Sequence, residues 1–454
     1  MSLTVIELND IGLTASTGDG LLLDSPGYAV LDGDELYVGK RAYEIARIRP
    51  RWTNNQFWSR LSLEPLAGAT RRYRNNADLA HAHLKAVWES ISDGTDAVIF
   101  AVPGTFERDQ LALLLGIASE LGIPVKGLVD AGVAAAATVE RGNPILHLDI
   151  QLHRVVLSLF AQGPRLKRSG VFVIADEGLS ALRDTWVGVI EDVFVRNTRF
   201  DPMHVAETEQ MLYDRLGEWL DTLKDQESVT VELEAGGRTH SVVVKADLLA
   251  QANAKIYPQI VQHIRGRTRT SDSFRLLLSH RLSAFPGLRD TLGMLAGCEL
   301  VQLDHEAVAR GVLAHVDAIV SGGEAVSFLT GLPVGADNGG SVAEHATDGP
   351  APTHLLYQSR AYRIDEEPLL IGSAIPARAR GIAVNSSTEG VSRHHCSIYR
   401  RDDRVQVEDH SSYGTFVNDR KIEGSTVAVI GDSIGIGHPG REFRLIEVAG
   451  EDGT

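Results

Sequence analysis

Cysteine is nearly absent from this chain. Cys298 and Cys396 are the only two in 454 residues, and neither has a ligand-like partner at short spacing. That argues against a disulfide framework and against a zinc site, so no metal is expected. Long apolar runs are also missing: none reaches the about 18 residues that a membrane-crossing helix needs. The opening residues, Met1 to Ile6, read as the start of a strand rather than a charged leader with an apolar core. Excess positive charge is lacking as well, with 44 Lys and Arg against 60 Asp and Glu, a net of −16. Nucleic acid and anionic membrane are therefore poor partners for the molecule as a whole. Residues 351–454 hold 12 basic against 15 acidic side chains, so −13 of that charge sits in the first 350 residues and neither part is basic. These absences lead to the expectation of a soluble cytoplasmic protein.

What is present divides the chain into three. The length suits two or three domains, and 43% hydrophobic with 23% charged residues is ordinary for folded protein. Residues 1–330 alternate short apolar strands with helical stretches, an α/β pattern. Thr4–Leu8, Gly27–Leu31 and Ala97–Val102 read as strands, Asp78–Ser90 as a helix, and Ile145–Phe160 as strand, turn and strand. Asp201–Lys224 reads as a long helix in which Met211, Leu212, Leu216, Trp219 and Leu220 form a core-facing stripe. Residues 331–352 carry five Gly, three Pro and no aromatic residue, and read as a flexible linker. From residue 353 on, short strands are separated by Gly, Asn and Asp turns, which predicts an all-β unit over 353–454.

In that last unit the run Leu369–Gly372, then Gly390-Val391-Ser392-Arg393-His394-His395, then Val407–Asp409 with Ser411–Asn418, and then Gly431–Gly437 resembles the forkhead-associated (FHA) family. The resemblance implies a β-sandwich whose loops at one end grip phosphothreonine in a partner protein. It implies binding roles for Ser392, Arg393 and Ser412, with His395 bracing the loop from within. Two positions depart from the family pattern. Ser373 stands where the phosphate-gripping Arg is expected, and Tyr413 where the Asn that holds the peptide backbone is expected. Charge-assisted hydrogen bonds dominate phosphate recognition, so the first loss matters most. Arg378 and Arg380 in the same loop are candidates to supply the charge, with a solvated loop face as the plainer reading. Tyr413 offers an aromatic anchor to an unphosphorylated partner, or packs over the sandwich end.

The first 320 residues contain, in order, segments similar to the nucleotide-binding domain of DnaK-type chaperones and their actin-like relatives. These are Asp10-Ile11-Gly12-Leu13-Thr14, Ala97–Pro103 with Phe106 and Gln110, Leu128–Ala137, Ile145–Asp149, Phe285–Leu288 and Glu306–Gly311. The resemblance implies two lobes around a cleft, with one hairpin turn from each lobe cradling phosphates on backbone N–H groups. Asp10, Gly12, Thr14 and Asp149 are what remains of that site. The family's second loop, Asp-x-Gly-Gly-Gly-Thr, reads here Asp149-Ile150-Gln151-Leu152-His153-Arg154. Ala131 stands for the catalytic Glu, Ser279-His280 for the Gly-Gly beside adenosine, and the catalytic Lys would fall near Ser59 or Arg60. Each catalytic group ordinarily lowers a barrier by a few kcal/mol, so their joint loss implies no ATP hydrolysis and no nucleotide cofactor. His153 and Arg154 offer a second use of the cleft, as a site for some other anion.

Together these features predict a non-catalytic adaptor or scaffold: an α/β pseudo-ATPase body, a linker and an FHA sandwich that recognises a protein partner. Two further readings stay open. One is a divergent ATPase whose nucleotide state gates FHA docking, and the other is a body that self-associates into homo-oligomers.

Overall fold

The computed structural model describes residues 2–333 except 67, 141, 254, 269–272 and 321–325, and residues 352–446 except 358–359, 377–378, 385–389, 403, 418–419, 423, 430–431 and 437–440. Two compact units form, Met1–Gly335 and Ala336–Thr454. No described helix is long and apolar enough to cross a membrane.

The first unit is one topology written twice. Its first half runs β1 (Leu3–Asn9), β2 (Gly12–Thr17), β3 (Gly20–Pro26), a side sheet of β4 (Ala29–Asp32), β5 (Glu35–Val38) and β6 (Thr53–Asn54) with α1 (Lys40–Tyr43), then α2 (Asn76–Ile91), β7 (Ala97–Val102), α3 (Arg108–Glu120), β8 (Val125–Asp130) and α4 (Ala131–Ala136). The second half runs β9 (Ile145–Ile150), β10 (Arg154–Gln162), β11 (Arg165–Ala175), α5 (Leu179–Thr198), α6 (Ala206–Thr222), the hairpin β12 (Ser228–Ala235) and β13 (Arg238–Lys245), α7 (Ala246–Ala252), α8 (Ile256–Arg265), β14 (Phe274–Leu278), α9 (Leu288–Gly293), β15 (Cys298–Gln302) and α10 (Ala307–Ala314). After α11 (Val316–Ile319) come two short strands, β16 (Phe328–Leu329) and β17 (Gly331–Pro333).

The sheet orders are β16-β8-β7-β1-β2-β3 and β15-β14-β9-β10-β11-β17. In each, the first three strands of the half pair antiparallel and the next two join parallel to the first. Ala97–Val102 is buried at every residue because β7 has neighbours on both sides and packing on both faces. Helix α2 buries Leu79, Ala80, Leu84, Val87 and Ile91 at helical spacing, and Asn75 caps it by accepting from the Asp78 N–H at 2.9 Å. The halves meet where α4 crosses α10. A Cβ on Gly311 would overlap the Ala134 carbonyl, so only small residues fit that crossing. Val5, Ile99, Ala101, Leu277 and Leu332 share the buried cluster around it.

Several boundaries differ from the sequence reading. The linker expected from residue 331 begins later, because Gly331–Pro333 pairs with Arg165–Lys167 and Leu332 is fully buried. The remainder of that stretch, residues 334–351, lies outside the described residues. The helix expected from Asp201 starts at Ala206, since Asp201 accepts from the Met203 N–H at 2.9 Å in a turn. The strand placed at Gly27–Leu31 is Ala29–Asp32, and Gly20–Pro26 is a strand that the sequence reading missed.

The second unit is a β-sandwich. Strands β18 (His354–Tyr357), β19 (Arg360–Arg363), β20 (Leu369–Gly372), β21 (Gly381–Ala383), β22 (Cys396–Arg401), β23 (Arg404–Asp409), β24 (Phe416–Val417), β25 (Arg420–Lys421), β26 (Ser425–Ala428), β27 (Ser433–Ile436) and β28 (Arg441–Ile446) form sheets ordered β19-β18-β28-β27-β24-β25 and β21-β20-β22-β23-β26. Leu355, Ile434, Phe443 and Leu445 from one sheet meet Ile371, Ile398, Val405 and Val407 from the other in one buried core.

Candidate functional site

The hairpin turns of the two halves of the first unit, β1–β2 and β9–β10, come together. Leu152 N–H donates to Asp10 Oδ1 at 2.7 Å. Asn9 Nδ2 donates to Asp149 Oδ2 and to the Ile150 carbonyl, both at 3.2 Å. Thus Asp10 and Asp149 face each other's turn, whereas Gly12 and Thr14 lie in the β2 ladder opposite Asn9 and Glu7. A glycine after the third strand of each half lies against its own turn. A Cβ on Gly27 would overlap the Asp10 carbonyl, and one on Gly178 would overlap the backbone of Leu152–Arg154.

Gln151, Leu152 and His153 of the β9–β10 turn each fill space. Leu152 is fully buried in a small apolar cluster with Tyr28, Val30, Ala42 and Ala46 of the first half. His153 Nε2 shares a hydrogen bond with Asn55 Oδ1 at 3.1 Å. Gln151 accepts from Arg154 Nε, and Arg154 Nη2 reaches Thr105 Oγ1 at 3.0 Å. A cavity of about 150 Å³ remains beside this turn, lined in part by Ser59, Arg60, His153 and Asp176. Pockets that enclose cofactor-sized ligands run to roughly 300–1,000 Å³. Farther out, Tyr43 Oη donates to the Tyr213 carbonyl at 2.9 Å, and Arg47 meets Asp184 at 2.6 Å, so the side sheet's arm is tied to α5 and α6.

Two of the buried carboxylates share one cation. Arg281 donates to Glu7 Oε1 at 2.6 Å and lies 3.5 Å from Asp149 Oδ1. Burial alone would raise the Asp149 pKa, but Arg281, His147 and Ser279 hold it below the ordinary carboxylate value. Burial raises Glu7, with Arg281 opposing, and it pushes Asp10 up to about 6. Asp130, which caps α4, pairs with Arg168. Among the described residues no three His, Cys, Asp or Glu side chains are grouped to hold a metal ion. Arg281 was not singled out from the sequence, although it directly follows Ser279-His280; its partner Glu7 lies 274 residues away.

In the second unit three loops converge at one end of the sandwich. Ser373 N–H donates to the Ser392 carbonyl at 3.0 Å, and a Cβ on Gly372 would overlap the Arg393 carbonyl, so the first two loops pack backbone to backbone. His395, fully buried, accepts from Ser392 N–H at 3.1 Å through Nδ1 and donates from Nε2 to the Gly414 carbonyl at 3.2 Å. Ser412 N–H reaches Ser392 Oγ at 3.3 Å. Asp409 Oδ1 accepts from Ser411 Oγ and Thr415 Oγ1, both at 2.7 Å, bonds that hold its pKa down against burial. A buried imidazole under one loop and a carboxylate gathering the hydroxyls of the next thus present Ser392, Arg393, Ser412 and Tyr413 together. The FHA domain family model matches residues 369–437. This segment is an FHA domain. No curated protein matches the chain.

Within the FHA domain, Arg393 is exposed; its carbonyl accepts from Ala374 N–H at 3.2 Å, its guanidinium has no hydrogen bond or ion pair among the described residues, and Tyr413 is 69% exposed. Arg380 is committed elsewhere: it pairs with Asp365 at 3.0 Å and donates to the Arg363 carbonyl at 2.6 Å. Arg378 lies outside the described residues. Sequence reasoning missed Lys421, whose aliphatic chain lies against Gly414 and so brings an exposed cation beside the third loop. The pairing of β24 with β25, which sets Lys421 opposite Phe416, places it there.

Proposed function

We propose that this protein is a non-catalytic adaptor, in which a two-lobed body of the actin and DnaK type is coupled to an FHA domain that captures a partner protein. The FHA domain carries the recognition: an FHA match implies protein interaction through phosphopeptides, and Ser392, Arg393, Ser412 and Tyr413 present a compact surface for it. Support for the body's kinship comes from the repeated strand order, the paired hairpin turns and the α4–α10 crossing. The observation that carries the non-catalytic reading is Leu152. A backbone cradle for phosphates needs glycine at this turn, and here a fully buried leucine fills the turn and packs on the opposite half. The groups present do not fit a magnesium nucleotide, because Arg281 already neutralises Asp149.

The second reading, a nucleotide-gated ATPase, draws on two atoms: Asp10 Oδ2 and Asp149 Oδ1 are buried and have no hydrogen-bond partner. Calorimetric titration of ATP and ADP with Mg²⁺ into the full chain separates the two. The adaptor reading expects no binding tighter than millimolar and no turnover above buffer. Micromolar binding, or magnesium-dependent turnover that disappears with Asp10→Ala, would overturn the pseudo-ATPase reading.

A further inference from the structure

The repeat leaves one strand edge filled in the first half and, among the described residues, open in the second. The last strand of the first half, β8, carries Leu128-Val129, and β16 lies parallel against it with Phe328 opposite Leu128 and Leu329 opposite Val129. The last strand of the second half, β15, carries the same dipeptide, Leu300-Val301, but ends its sheet with no second neighbour among the described residues. The outward-facing groups of β15 follow from its ladder. Phe274 N–H donates to the Gly297 carbonyl and Leu303 N–H to the Leu278 carbonyl, both at 2.9 Å, so the odd-numbered residues face β14. Leu300 and Gln302 therefore direct their N–H and C=O groups away from the sheet.

A cavity of about 390 Å³ lies against β15; most of its lining is polar or charged, and Val139, Val301 and Leu303 are its apolar members. Four of its charged groups are paired, Arg275 with Glu299 at 3.0 Å and Arg310 with Asp304 at 2.8 Å, while the exposed Glu140 carboxylate has no ion pair among the described residues. An anionic ligand would have to break those pairs and face Glu140, whereas an apolar side chain and a line of backbone groups would not. We propose that the β15 edge is a docking site for an extended segment of a partner protein, added parallel to β15 with an aromatic–aliphatic pair set opposite Leu300 and Val301. The chain's own β16 on β8 is the template for the occupant: its direction, its two-residue length and its Phe-Leu chemistry. Main-chain hydrogen bonds supply the grip and the cavity supplies the selectivity, the general logic of strand addition.

The test uses the full chain and a fluorescent peptide copying Val326–Leu332, followed by anisotropy. Saturable binding is expected, weakened about tenfold or more when the peptide amides that face β15 are N-methylated and little changed when the alternate amides are. Val139→Arg, which extends a charged side chain into the cavity, weakens binding by a similar factor while thermal unfolding stays that of the parent protein. Hydrogen exchange slows over Cys298–Leu303 on peptide addition. The proposal is overturned if no saturation appears by about 1 mM peptide, a free-energy change of only about 4 kcal/mol. It is equally overturned if N-methylation has no effect, or if protection appears over Val125–Asp130 instead, which would place the peptide on β8 in exchange for β16.

Discussion

Arg281 joins the two halves of the body by donating to Glu7 Oε1 at 2.6 Å, with both side chains about nine-tenths buried. Glu7 sits in β1 and Arg281 just beyond β14, so one guanidinium fixes the bases of both hairpins. It is also the principal cation facing Asp149, and its own pKa is raised by Glu7 and Asp149 in spite of burial.

Replacing Arg281 should therefore expose a latent cost. Arg281→Gln leaves Glu7 and Asp149 buried without their cation, and losing one partner of such a pair typically costs about 3–5 kcal/mol. The loss depends on pH. Without Arg281, burial raises both carboxyl pKa values in the folded state above their unfolded values. Protonation then favours folding, so the deficit is smallest in acid and grows as pH rises through those raised values. Urea unfolding of the variant and the parent protein at pH 4.5 and pH 7.5 measures this. An equal deficit at both pH values would mean that Arg281 acts by packing alone.

Asp10 carries a cost in the native protein. Its pKa is pushed up to about 6 by burial, against an ordinary value of 3.8, with the Leu152 hydrogen bond and Arg154 only partly opposing. A raised folded pKa means that protonated Asp10 favours the fold. This contribution is complete below the unfolded pKa and is lost as pH climbs through about 6. Asp10→Asn keeps an acceptor for Leu152 N–H and removes the charge. It should gain on the parent protein by about 2 kcal/mol between pH 4 and pH 7.5, read from urea midpoints. A flat difference would mean that the carboxylate is solvated.

How much of this was legible in the sequence depends on the range of the contacts. Ala97–Val102 was readable because an unbroken apolar run, too short for a buried helix, suits a strand covered on both faces. The FHA loops were readable because their residues lie in a short stretch with fixed spacing. The strand Gly20–Pro26 was not, since Leu21 and Leu22 are largely exposed on an edge and give no alternation of buried and exposed positions. The Arg281–Glu7 pair, the Leu152 cluster and the Arg380–Asp365 pair were invisible for a further reason. Each is set by how strands and loops are brought together in three dimensions, and nothing local in the sequence marks which acid will meet which base.

The α4–α10 crossing makes a stability prediction with an internal control. A Cβ on Gly311 has no room against the Ala134 backbone, whereas one on Gly217, within α6, meets nothing within 4 Å. Gly311→Ala should lower stability by about 2–3 kcal/mol through overpacking. Gly217→Ala should raise it by about 0.5–1 kcal/mol, because alanine loses less backbone freedom in a helix. Thermal unfolding of both variants is sufficient, and equal shifts would show that α4 and α10 can move apart freely.

The FHA domain should bind its partner with little dependence on phosphate. Ser373 stands at the position of the expected Arg and is held by its backbone to Ser392, while Arg380 is occupied by Asp365. Arg393 is then the main cation beside Ser392 and Ser412, with Lys421 at the third loop. A lost charge-assisted hydrogen bond typically costs about 1.5–3 kcal/mol, or roughly one to two decades of affinity. Phosphothreonine peptides are therefore expected to gain less than about tenfold over their unphosphorylated twins. Arg393→Ala should erase most of that gain and leave unphosphorylated peptides unaffected. Tyr413→Ala should weaken both forms about tenfold, because an exposed aromatic ring acts on either. The measurement is binding of the full chain to a paired peptide library. A gain well above tenfold that survives Arg393→Ala, or one abolished by Arg378→Ala, would place the phosphate grip in the first loop and overturn the reading of Ser373 as a lost ligand.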